Sequence, residues 1–250
     1  MIVPARPRRH GSPRHGVARV ISKRGLASRA EAGAWVREGR VRVNGEVVSD
    51  PEFPVRGDVD RIQIAGLEAT PRERLVLMLN KPRGLVTSTR DEQGRETVYN
   101  CFAGADLPWL APVGRLDKAS EGLLLFSNDP AWAATITDPA SGPAKTYHVQ
   151  IDRLPEAILL AGLERGLLVD GELLACRSAR TLRAGHRNAW IEVVLEEGRN
   201  RQIRRLLASS GVAVLRLVRV AVGALALGEL PKGGWRLLAP EEVAALQRAP

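Results

Sequence analysis

The chain has 250 residues, 44% hydrophobic and 26% charged, which suits a folded protein of one or two domains and excludes a long disordered or collagen-like chain. Its formal charge is +9, and the whole excess lies in residues 1–42, where eleven basic side chains stand against two acids; that balance points to a polyanionic partner, nucleic acid before membrane. Cys101 and Cys176 form no Cys-x-x-Cys, the four histidines have no ligand spacing, no eighteen-residue apolar run or secretory leader is present, and aromatics are only 4%; disulfide frameworks, zinc sites, membrane spans and stacking-sheet folds are all disfavoured, and a cytoplasmic setting is expected.

In chain order, residues 1–16 are Pro, Arg, His and Gly with few apolar side chains and read as a disordered basic arm. Val17, Val20 and Ile21 share a helical face, and Gly25 is placed to end that helix. Ser28 and Glu31 form a capping box for a second helix that stops at Gly39. Val41 and Val43 alternate with arginines up to Asn44-Gly45, the strongest short hairpin signal, and Val47-Val48 returns. Helix, helix and hairpin predict a small domain over 17–66, and the polar stretch around Pro71 predicts a linker over 67–74.

A second domain is expected over 75–245. Leu75 to Leu79 and Leu123 to Phe126 read as buried strands, Asp129-Pro130 as a helix start, Lys145 to Ile151 as an alternating strand and Pro155 to Leu163 as a helix. Leu167 to Ala175 pairs about Asp170-Gly171, Trp190 to Leu195 is a strand, and Arg199 to Ser209 is helical. Two more strands, Val214 to Val222 and Trp235 to Leu238, precede a short helix after Pro240. Strands dominate without a βαβ rhythm, so the fold class is α+β with a mixed, largely antiparallel sheet.

Three clusters can carry chemistry. In Gly114-Arg115-Leu116-Asp117-Lys118-Ala119-Ser120-Glu121-Gly122, a carboxylate sits in a Gly-flanked loop that feeds a buried strand, although an Asp in such a loop is by itself more often a turn former. Lys145 and Tyr147 fall on one face of a strand by its period of two. On a helix, Arg201, Arg204 and Arg205 share one face, so that with Arg199 four arginines would line one wall. Arginine both clamps phosphate and pairs bidentately with carboxylates.

In order and spacing these clusters resemble the pseudouridine synthases, in the branch named for RsuA and RluB, which modifies ribosomal RNA. The carrying residues are Gly-Arg-Leu-Asp-x-x-Ser-x-Gly-Leu-Leu-Leu at 114–125, Ser-Asn-Asp at 127–129, Lys-Thr-Tyr at 145–147 and Glu-Gly-x-Asn-Arg-Gln-Ile-Arg-Arg at 197–205, supported by Asn80-Lys81-Pro82-Arg83-Gly84 and Leu217-Val218-Arg219. The stretch from Ser22 to Val48 resembles the S-four RNA-binding domain, named after a ribosomal protein. The resemblance implies that Asp117 is the catalytic aspartate, that Arg204 pairs with it and keeps it ionised, that Tyr147 stacks on the uracil, and that Arg115 fills the space the uridine vacates. Lys145, Arg201 and Arg205 are weaker candidates for phosphate contacts, and Arg24, Arg29, Arg37, Arg40 and Arg42 for RNA binding by the S-four unit. It further implies isomerisation of a uridine in ribosomal RNA, of the large subunit in preference to the small, without metal or redox cofactor; a monomer is the default expectation. Two other readings compete: a non-catalytic RNA-binding assembly factor, and a hydrolase using Asp117 and Asp129 as paired carboxylates.

Overall fold

In the computed structural model, which describes residues 13–57, 59–67, 74–89 and 91–247, the chain forms two units, residues 1–73 and 74–250. The first comprises β1 (His15–Gly16), α1 (Val17–Lys23), α2 (Arg29–Arg37), β2 (Val41–Val43), β3 (Glu46–Val47), β4 (Pro54–Val55) and β5 (Ile62–Ile64). The Ser28 hydroxyl accepts from the Glu31 N–H at 3.1 Å and caps α2. Asn44 and Gly45 both take positive φ, 53° and 94°, and turn β2 into β3, as a tight hairpin requires. Val17, Ile21, Ala32, Val36, Val41 and Val55 are fully buried together, so the unit has a core of its own.

The expected arm extends less far than 1–16. Residues 1–12 lie outside the described residues, as do 68–73 of the expected linker, but His15–Gly16 pairs antiparallel with β4. Gly16 lies so close to Glu52 that a Cβ there would meet its Cα at 3.0 Å. Composition hides this strand because its two residues add no apolar side chain to the core.

The second unit contains β6 (Val76–Lys81), a 3-10 turn (Val98–Phe102), β7 (Ala111–Val113), β8 (Glu121–Ser127), α3 (Pro130–Thr137), β9 (Lys145–Ile151), α4 (Ala157–Arg165), β10 (Leu167–Val169), β11 (Glu172–Leu174), β12 (Ser178–Ala184), β13 (Ala189–Leu195), α5 (Gln202–Ser209), β14 (Val214–Val222), β15 (Leu225–Ala226), β16 (Trp235–Leu237) and α6 (Pro240–Ala245). Its main sheet runs β12-β13-β9-β14-β8-β6-β16, with β15 against β14 and β7 against β8. Among its strands only β14 and β8 are parallel, so the sheet is mixed and largely antiparallel.

β6 and β8 are buried along their whole lengths. One face contributes Leu77, Leu79, Leu124 and Phe126 to a core that α4 and α5 cover through Leu163, Ile203, Leu206 and Leu207. The other face packs Met78, Leu123 and Leu125 against Trp132 and Ile136 of α3. Two-sided burial explains why these strands read as continuous apolar runs rather than alternations. No helix among the described residues is long and apolar enough to cross a membrane.

Candidate active site

Residues 114–120 connect β7 to β8, and five successive carbonyls of this loop are each held by a different donor. The Thr87 hydroxyl donates to the Leu116 carbonyl at 2.8 Å, and the Ser120 N–H donates to that of Asp117 at 2.9 Å. The Gly84 N–H donates to Lys118 at 2.8 Å, Arg204 Nη2 to Ala119 at 3.2 Å, and Lys81 Nζ to Ser120 at 2.9 Å. A loop with five consecutive backbone acceptors held has little freedom, and its side chains inherit that rigidity. Lys81 is fully buried, and its ammonium also donates to the Pro82 carbonyl at 3.0 Å. Burial pulls it down to about 8, against the opposing pull of Glu121 and Asp117.

The loop enters β8 at Gly122, whose φ is +100°, and a Cβ there would lie 2.2 Å from the Arg219 carbonyl oxygen. Only glycine allows the close parallel contact of Gly122 with Arg219 of β14. The same register sets Arg219 opposite Tyr147 of β9. Loop, β9 and β14 therefore converge.

They converge on a cleft of about 710 Å³ lined by Arg115, Asp117, Lys145, Tyr147, Arg201 and Arg219, with Gly198, Arg199 and Asn200 along the rim loop. That volume is in the range of small-molecule sites. The Asp117 side chain is 37% exposed, and its Oδ2 faces Arg201 Nη1 at 3.6 Å. Tyr147 is buried. Lys145 Nζ donates to the Glu196 carbonyl at 3.2 Å, and burial, with the neighbouring Arg219 cation, lowers its pKa. Arg219 Nε donates to the Leu123 carbonyl at 2.7 Å. Chemically this is an accessible carboxylate facing cations beside a phenol, while the other two carboxylates of the lining, Glu172 and Glu197, are each paired with Arg199.

The arginines depart from the expected wall. Helix α5 begins at Gln202, not Arg199, because Arg201 takes the left-handed conformation with φ 49°. The buried Gln202 side chain shapes this entry: its Oε1 accepts from the Arg199 N–H, and its Nε2 donates to the Ala175 carbonyl and to Glu197. Arg201 is thereby turned toward Asp117. Arg204 does not pair with the Asp117 carboxylate; its guanidinium donates to the Ala119 and Val214 carbonyls, its Nε is buried without a hydrogen bond, and burial lowers its pKa. Arg205 is not among the residues lining the cleft; it binds Glu172 at 2.8 Å and Asp170 at 3.3 Å, tying the β10–β11 hairpin to α5. Acidic residues on that hairpin took the cation that helical spacing alone assigned to the cleft.

Asp129 stands apart too. Its carboxylate caps α3 by accepting from the Ala131 and Trp132 N–H groups and pairs with Arg74 at 2.7 Å, so it is no partner carboxylate for Asp117. In the first unit Arg29, Arg37 and Arg42 are exposed. Arg24 donates to the Gly57 carbonyl, Arg29 pairs with Glu52, Arg40 lies over the Trp35 ring at 5.2 Å, and Arg42 donates to the Gly45 carbonyl. Lys81, Gln202 and Arg219 were not singled out as site residues from sequence; their signal was present only as polar residues inside otherwise apolar or motif-like runs.

The description "RNA pseudouridylate synthase" belongs to the family model that matches residues 75–209, and the S4 domain model matches residues 17–60. The chain is 35% identical over 232 residues to ribosomal large subunit pseudouridine synthase B of Bacillus subtilis, covering 92% of this chain and 94% of that protein. It is 33% identical over 235 residues to an uncharacterized RNA pseudouridine synthase of Aquifex aeolicus, covering 93% and 94% respectively. A solved pseudouridylate synthase crystal structure superposes with a TM-score of 0.64 at 30% identity, covering 94% of this chain and all of the other.

Proposed function

We propose, since this chain belongs to the RNA pseudouridylate synthase family in its RsuA and RluB branch, that it converts a uridine of large-subunit ribosomal RNA to pseudouridine with Asp117 as the reacting carboxylate. The observation that carries this reading is the clamped loop: five consecutive carbonyls are held, and the loop's carboxylate, Asp117, stands in the cleft. The Bacillus relative, named for the large subunit and matching over nearly the whole length, supports the choice of RNA.

The uridine leaves its stack at a cost of a few kcal/mol and enters the cleft, while exposed Arg115 occupies the gap. Tyr147 packs against the uracil. As the N1–C1′ bond breaks, the sugar develops positive character, which an ionised carboxylate stabilises. Asp117 either attacks the sugar carbon or removes a proton from the sugar, and both roles need the carboxylate held at one place. The uracil then turns within the cleft and C5 bonds to C1′ as the Asp117–C1′ bond breaks, or as the sugar regains the proton it gave to Asp117; the C5 hydrogen leaves as a proton and N1 gains one, so the product is an isomer. Arg201, Arg219 and Lys145 supply cations for the RNA backbone around the extruded nucleotide, and Arg24, Arg29, Arg37, Arg40 and Arg42 of the S-four unit bind phosphates elsewhere. Arg204 acts on Asp117 through the Ala119 carbonyl. A binding-only role gives the clamp nothing to do.

Pseudouridine mapping across the ribosomal RNAs of cells with and without this protein tests the reading. One uridine of the large-subunit RNA is expected to lose its modification; identical maps would contradict the proposal.

A further inference from the structure

The second unit, with 23 basic side chains against 19 acidic ones, carries part of that excess as a segregated patch. From Ser178 to Ile191 the chain has Arg180, Arg183, His186 and Arg187 and no acidic residue. This stretch is β12, an exposed turn and the start of β13. It closes the end of the sheet remote from the cleft, because Ala184, Ala189, Ile151 and Val214 form the last register row there, whereas Leu195, Lys145 and Val222 form the row at the cleft. Six residues along β9 separate the two rows, about 20 Å.

One residue in from that end, Arg183, Trp190, Gln150 and Arg216 lie abreast on four neighbouring strands. Their neighbours Ala189, Ile151 and Leu217 point into the core under α4 and α5, so this row faces the opposite, uncovered side. The Arg183 guanidinium lies 5.2 Å from the Trp190 ring centroid and that of Arg216 lies 5.5 Å from it, approaching from strands on either side of β13. Arg216 is further fixed by both oxygens of buried Glu121, at 3.1 and 3.0 Å. The acids of this end are already matched: Glu121 with Arg216 and Lys232, Glu192 with Arg180 and His148, Asp152 with Arg153. Among the described residues Arg183, His186 and Arg187 have no carboxylate partner, and all three are exposed.

We propose that this end of the sheet is a second RNA-binding surface, in which Arg183, His186 and Arg187 hold phosphates of the substrate RNA away from the reacting uridine. The Trp190 ring holds the Arg183 guanidinium in place, which lowers the ordering cost of a contact. Exposed cations without a carboxylate partner fit a polyanion, and the inference rests on the reading that the substrate is RNA.

The test uses the full chain carrying Arg183→Ala with Arg187→Ala, and separately Arg187→Glu at the turn. The probe is deproteinised ribosomal RNA from cells lacking the protein. Two lost phosphate contacts make the plot of log affinity against log salt shallower by about 1.4 to 1.8, with kcat at saturating RNA unchanged; Arg187→Glu weakens binding more than Arg187→Ala, and Arg187→Lys restores it. Unchanged affinity and slope would overturn the proposal, as would unchanged RNA binding by a variant that no longer sediments with ribosomal particles, which would assign the surface to a protein. Turnover is read separately. Wild-type protein that binds RNA through this surface yet isomerises no uridine would overturn the isomerase reading and leave this one standing.

Discussion

Arg204→Ala separates loop clamping from direct RNA contact. The guanidinium reaches the Ala119 carbonyl at 3.2 Å and the Val214 carbonyl at 3.4 Å, and it forms no part of the cleft lining. Truncation leaves these two acceptors unsatisfied, at about 1–3 kcal/mol for a fully buried group. Both are partly open to water and the lost cation was itself disfavoured by burial, so a net loss of about 1–2 kcal/mol is expected. The kinetic effect is larger than that. With one of five restraints gone the loop relaxes at Ala119, two residues from Asp117, and a misplacement on the order of 1 Å costs about 100-fold in rate. Release of tritium from C5-labelled uridine in ribosomal RNA, followed under saturating and limiting RNA, should show kcat falling about 100-fold while KM stays within about threefold. Arg204→Lys, which retains one donor group for one carbonyl, should recover part of kcat. A variant with kcat intact and KM raised would refute the positioning role and put Arg204 on the RNA.

Gly122→Ala places a methyl 2.2 Å from the Arg219 carbonyl at a φ of +100°, and denaturant titration should show a loss of about 3 kcal/mol or more; an unchanged midpoint would remove the close β8–β14 contact from the account. Arg205→Ala should lower the melting temperature only slightly, since its partners are exposed, and leave the salt dependence of RNA binding as it was; a slope shallower by nearly 1 would return Arg205 to the RNA interface. Lys81→Met has a pH signature. Burial lowers the ammonium from 10.5 to about 8, so the folded chain binds that proton less tightly than the unfolded one. The resulting penalty is fully present below pH 8 and is relieved as pH rises from 8 to 10.5, by up to about 3 kcal/mol. The variant lacks this relief, so its deficit relative to wild type should grow between pH 7 and pH 10, and a constant deficit in paired melts would contradict the assignment.

Local signals were legible wherever local chemistry decides the outcome. The Ser28 cap, the Asn44-Gly45 turn, the Asp129 cap and the apolar runs of β6 and β8 each stand where spacing puts them. Asp117, Tyr147, Lys145 and Arg115 also line one cleft, because a loop entering a buried strand and a period-two pair on β9 have few ways to be arranged. β12 was illegible: as an edge strand it buries only Ala179 among its seven residues, so no alternation marks it. The entry to α5 was misplaced because the left-handed turn at Arg201 is imposed by Gln202 reaching Ala175 and Glu197, contacts that periodicity does not encode. Arg204 and Arg205 were misassigned for a related reason. Helical spacing gives the direction of a guanidinium, but the carbonyls and carboxylates that meet it come from the 114–120 loop, β14 and the β10–β11 hairpin.

In the proposed reaction Asp117, presented by a clamped loop, performs the isomerisation. Asp117→Asn keeps the side chain's size and removes its charge, and the loop's five backbone restraints do not involve it. Tritium release from C5-labelled ribosomal RNA should then be undetectable, while the melting temperature and RNA affinity match the wild type. Release at the wild-type rate would contradict the account.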